Sequence, residues 1–122
     1  MNDRPYEQLV YALIFQAAKD YVYARDYLKN HEAEYQIITE TYPLGQRNLA
    51  TSSQKHLIHN YEKAEWLLMD CESFFKSEWC KFIAPEFQGR NALRKLKRLN
   101  YEQFRRIIKR QEVFDDVYIN SD

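Results

Sequence analysis

From Val10 onward, apolar residues return every three or four positions: Val10, Ile14 (beside Leu13), Ala17, Tyr21, Ala24 and Leu28. Polar residues fill the intervals, so the period is that of an amphipathic helix and not the alternation of a strand. The helix is expected to start near Asp3 or Arg4. Asp3 can cap its free N–H groups, and Pro5 suits the first turn, where its missing donor is not needed. Asn30-His31 offers a stop, yet Tyr35, Ile38 and Tyr42 keep the same spacing, so one helix to about Thr41 fits equally well. Pro43 and Gly45 end it in either case, giving a first helical arm over residues 1–42.

Tyr42 to Ser53 (YPLGQRNLATSS) reads as the main loop. Thr51, Ser52 or Ser53 can then cap a second long helix over 52–83, with Leu57, Tyr61, Ala64, Leu68, Cys71, Phe75 (beside Phe74) and Trp79 as its stripe. It should break at Ala84-Pro85, because proline disfavours helical backbone in the residue before it. With Phe74, Phe75 and Trp79 on one broad face, burial of each ring contributes on the order of 2 kcal/mol. After the loop Pro85 to Gly89, residues 90–112 read as a helical hairpin. Leu93 and Leu96 face inward in its first part, Asn100 caps the second, and Phe104, Ile107, Ile108 and Gln111 share one side. Residues 113–122 (VFDDVYINSD) form an acidic tail. The expected fold is all-α and a single domain: an antiparallel pair of long helices with a C-terminal basic helical hairpin. Two glycines and three prolines in 122 residues are too few turn formers for a β-sandwich or barrel.

Composition adds little until the charges are placed. The 45% hydrophobic and 30% charged content is globular, and no apolar run approaches the roughly 20 residues that cross a bilayer. The start, Met1-Asn2-Asp3-Arg4-Pro5, lacks the basic and apolar pattern of a signal peptide, and two cysteines are few for a secreted scaffold, so a cytoplasmic protein is expected. The formal net charge is zero. Yet nine bases and one acid, Glu102, lie between Arg90 and Arg110, while the first 89 residues carry nine bases and thirteen acids. The last twelve residues carry four acids, Glu112, Asp115, Asp116 and Asp122, and no base. The chain is thus strongly polarised, with a segment of net +8 between two of net −4.

On the expected helices, Arg90, Arg94, Lys95, Lys97 and Arg98 surround the Leu93/Leu96 seam, and Arg105, Arg106, Lys109 and Arg110 point away from Phe104, Ile107 and Ile108. Tyr101 lies between the two sets. Such a surface attracts phosphate through Coulomb forces and counterion release, and arginine adds bidentate contacts to phosphate or carboxylate. The competing expectation is a solvated face that offsets the acidic body, or one covered by the acidic tail. A DNA-binding helix-turn-helix would want a turn of about three or four residues, often with Gly, and a bracing helix. The break at Leu99-Asn100 is shorter and lacks Gly, and no third helix follows.

Catalytic and metal chemistry find no such support. His56 and His59 stand three apart, but the first arm offers no matching Glu-x-x-His, and Cys71 and Cys80 do not have zinc-ligand spacing. Neither cysteine has a histidine partner near it in sequence, and two glycines cannot build a phosphate-binding loop. The chain is expected to be a non-enzyme without a cofactor.

Three blocks carry a family resemblance. Ile14 to Leu28 (IFQAAKDYVYARDYL) contains Gln-Ala, Lys-Asp-Tyr and a following Leu. Cys71 to Trp79 (CESFFKSEW) matches Glu-x-Phe-Phe-x-Ser-x-Trp through Glu72, Phe74, Phe75, Ser77 and Trp79. Arg94, Lys95 and Leu96 supply a later Arg-Lys-Leu. Together these cover about a third of the chain, in an order that resembles small helical proteins of prophages and conjugative elements of Gram-positive bacteria. The chain departs from them by Gln88-Gly89 in place of Asp-Gly, by a longer first link, and by its additional basic helix and acidic tail. The resemblance implies a mobile-element origin but supplies no activity, since such relatives have no assigned reaction or ligand. Small mobile-element proteins without catalytic groups commonly regulate element genes or block host defence machinery. The leading expectation is an inhibitor or modulator of a host nucleic-acid-handling complex, for example a CRISPR effector. The alternatives are a direct DNA- or RNA-binding regulator using the same residues, and a structural or homodimeric helical protein.

Overall fold

The computed structural model describes residues 4–108, with side chains from Gln8 to Ile107. The cap assigned to Asp3, the positions of Lys109, Arg110 and Gln111, and the acidic tail lie outside these residues. Within them the chain is all-α: α1 (Arg4–Thr41), α2 (Ser52–Lys76), α3 (Glu78–Ile83), α4 (Gly89–Arg98) and α5 (Tyr101–Ile108), with a 3-10 turn at Arg47–Leu49.

Helix α1 is continuous through Asn30-His31. The Asn30 amide donates to Asp26 one turn back at 3.2 Å, and the Tyr27 and His31 rings pack with centroids 4.1 Å apart. The polar side chains here bond along the helix surface and leave its backbone ladder intact. Val10, Ile14, Tyr21 and Ala24 are buried as their spacing implies. Ala18 and not Ala17 completes the innermost row, and Leu28 is half-buried. The chain then turns at Gly45, whose φ of 100° is a conformation side chains disfavour. Thr51 starts α2 with a reciprocal cap: its hydroxyl accepts from the Gln54 N–H at 3.1 Å, and its own N–H donates to the Gln54 side chain at 2.8 Å.

The second long helix does not reach Ile83 unbroken. It ends at Lys76, and Ser77 separates it from α3. The Ser77 hydroxyl donates to the Phe74 carbonyl at 2.7 Å and accepts from the Cys80 N–H at 3.0 Å, so one side chain closes α2 and caps α3. This break changes the phase of everything after it. Trp79, expected in the buried stripe, is 59% exposed, while Cys80, Ile83 and Phe87 enter the core. The expected burial of Trp79 is therefore corrected, and Phe74 is half-buried beside a fully packed Phe75. Ala84 ends α3 directly before Pro85, as the proline requires.

The core joins the early part of α1 (Val10, Ile14, Ala18, Tyr21, Val22) to Cys71 and Phe75 of α2, to Cys80 and Ile83 of α3, and to Ala92, Leu93, Leu96 and Phe104. Farther along α1, Tyr35 stacks on Tyr61 with centroids 3.9 Å apart. Its hydroxyl donates to Glu62 at 3.0 Å, and Arg47 pairs with the same carboxylate at 3.0 Å. This cluster fastens the loop after α1 to α2.

Candidate binding surface

Helix α4 is fastened at both ends. At its start, Gly89 lies so close to α2 that a Cβ there would overlap the Phe75 carbonyl oxygen. At its finish, the Arg25 guanidinium of α1 donates to the Leu96 carbonyl, placing a cation at the negative end of the helix dipole. Arg25 also lies 5.7 Å from the centre of the Tyr21 ring. Buried Ala92, Leu93 and Leu96 fix the helix's rotation, as expected for the two leucines. Asn100 then starts α5 with a second reciprocal cap, accepting from the Gln103 N–H at 2.8 Å and donating to its side chain at 3.0 Å. Phe104 is buried and Ile107 half-buried, which turns Glu102, Gln103, Arg105 and Arg106 outward.

These constraints place Arg90, Arg94, Lys97, Arg98, Arg105 and Arg106 in solvent, with Lys95 and Tyr101 half-buried. Lys97 stands 3.9 Å from Glu72 of α2, and Arg94 donates to Asn91 at 3.1 Å. Among the described residues, Arg90, Arg98, Arg105 and Arg106 have no ion-pair partner. Lys109 and Arg110, the remaining residues of the expected surface, lie outside the described part. Tyr101 borders a groove of about 290 Å³ between α1 and α5, with Tyr23, Lys19 and Arg105 on its walls.

Arg25, Ser77 and Gly89 are the residues that sequence reasoning missed. Arg25 lies three residues after Val22 and four after Tyr21, on the inward side of α1, where a charged residue has no evident role until the tertiary position of Leu96 gives it a partner. Gly89 carried a readable signal, since one of only two glycines in the chain marks either a turn or a close backbone approach.

Burial, assisted by the charges of Asp20 and Asp70, pushes the Cys71 thiol up to about 12, and burial raises Cys80 as well. Both are neutral packing groups at ordinary pH. The phenols of Tyr21, Tyr35 and Tyr61 are also raised, chiefly by burial. His56 and His59 are exposed, and among the described residues no group of three His, Cys, Asp or Glu could hold a metal ion. No described helix is long and apolar enough to cross a membrane.

The described residues thus define a small all-α protein with a cationic surface built on α4 and α5. No family model, curated protein or solved structure matches the chain.

Proposed function

We propose that this is a non-catalytic protein of phage or mobile-element origin that inhibits or modulates a host nucleic-acid-handling complex, such as a CRISPR effector, from the cytoplasm of a bacterial host. In this architecture α1 and α2 form an antiparallel pair, with Tyr35 against Tyr61 toward one end and Tyr21 grouped with Cys71 toward the other. Helices α4 and α5 make a basic hairpin across it. The observation that carries the proposal is the set of outward arginines, Arg90, Arg98, Arg105 and Arg106, left without carboxylate partners among the described residues. A cationic face on a rigid support attracts phosphate or acidic protein surface, and arginine's planar fork suits both. The resemblance of three sequence blocks to mobile-element proteins supports the origin.

The test is affinity capture from bacterial lysate with the wild-type protein and with the variant Arg98→Glu/Arg105→Glu/Arg106→Glu. Recovery of a nucleic-acid-handling complex by the wild type, lost in the variant, supports the proposal. Equal recovery, or no such complex, overturns it. Mobility shifts with duplex DNA and duplex RNA at about 50 mM salt separate the direct regulator, whose affinity would fall steeply as salt rises.

A further inference from the structure

Helix α3 presents two large rings to solvent. Trp79 and Phe82 stand three residues apart, 59% and 74% exposed, with centroids 6.0 Å apart and planes inclined by only 16°. Glu78 and Lys81 flank the concavity over these rings, and the same two residues also border a groove of about 360 Å³ between α3 and the start of α4. That groove carries Lys76, Lys81, Arg90 and Arg94 against a single acid, Glu78. Lys76 is partly neutralised by Glu72 at 3.9 Å, whereas Lys81 and Arg90 have no ion-pair partner among the described residues. The ring platform and the cationic groove are continuous through Lys81.

We infer that this platform and groove bind single-stranded nucleic acid, with a base lying on the Trp79–Phe82 face and the adjoining phosphates against Lys81, Arg90 and Arg94. An exposed aromatic face rewards an unpaired base, which has its own face free, and a positively charged groove tracks the backbone that connects successive bases. A duplex hides its base faces inside the stack and offers this platform nothing to cover it. Four cations to one acid set the sign of the ligand: a polyanion with flat apolar rings satisfies both halves of the site, and an apolar peptide only one. The inference deepens the proposed function by naming a ligand class, and rests on it through Arg90 and Arg94, which belong to both surfaces.

The experiment uses the full chain with Trp66→Phe, an exposed position, so that Trp79 is the only remaining indole. Fluorescence is followed as thymidine or uridine oligonucleotides of about twelve residues, or a duplex of that length, are added at low salt. Quenching by the single strands and not by the duplex is expected, and the thymidine and uridine arms distinguish DNA from RNA as the source. Phe82→Ala and Lys81→Glu should each weaken the titration about tenfold, with the circular dichroism spectrum unchanged. Trp79→Ala, read by mobility shift in the otherwise native chain, should do the same. Absence of quenching, or quenching unaffected by Phe82→Ala and Lys81→Glu, overturns the inference. Because the capture variant alters Arg98, Arg105 and Arg106 and leaves α3 intact, capture of a host complex can succeed while this titration fails, and the reverse.

Discussion

At Gly89 the first turn of α4 meets the Phe75 carbonyl so closely that even a methyl group has no room. The obstacle is backbone and cannot rotate aside. Gly89→Ala is therefore expected to reduce stability by about 1–3 kcal/mol in urea unfolding, an overpacking penalty. At the other end of α4, Arg25→Met keeps the aliphatic stem but leaves the Leu96 carbonyl without its charged donor. A loss of about 2 kcal/mol is expected by the same measurement. Cys71 makes a pH prediction. Its folded pKa is raised from the ordinary 9.0 to about 12, so the folded state holds a proton that the unfolded chain releases. The associated stability is fully present below about pH 9 and is lost progressively as pH rises toward 12. Cys71→Ala is less stable at neutral pH, but its stability should fall less steeply over that alkaline range. Urea midpoints measured as a function of pH check this.

At the scale of elements, much of the helical pattern was legible because its causes are local. Thr51 with Gln54, and Pro85 after Ala84, are signals that act within one turn of chain. Asn100 with Gln103 belongs with them. Ser77 was not legible for the opposite reason. A serine inside an unbroken apolar rhythm normally points outward, and Trp79 lies four residues after Phe75, where a continuous helix would bury it. Whether the hydroxyl breaks the backbone depends on Cys80, Ile83 and Phe87 offering a better core than Trp79 does, and that competition is tertiary. Ser77→Ala removes both of its bonds and should reduce stability by about 1 kcal/mol. In the Trp66→Phe background its Trp79 emission should also shift if the ring moves. The candidate surface was legible as an outward basic face, since Leu93, Leu96 and Phe104 fixed which side is inside. The aromatic platform on α3 was not, because it exists only once α2 has ended.

At the scale of the molecule, zero net charge conceals a separation of charge that an averaged quantity cannot report. Retention on a heparin column at neutral pH is the expected behaviour, despite the balanced total. Arg98→Gln/Arg105→Gln/Arg106→Gln should elute at markedly lower salt. Failure of the native chain to bind the column would mean that the acids of the same molecule already satisfy these cations. The charges themselves need little from the fold: the six exposed basic side chains on α4 and α5 can change with small effect on packing, since exposed substitutions usually alter stability by about 0.5 kcal/mol or less.

The double anchoring of α4 bears on how such a protein can diversify. With Gly89 against Phe75 and Arg25 on Leu96, the scaffold's tolerance is concentrated in the residues that face solvent, and its intolerance in those that pack. The outward arginines and the two bare rings of α3 can then be rewritten over successive generations, while Gly89, Phe75, Arg25 and Leu96 keep every version foldable.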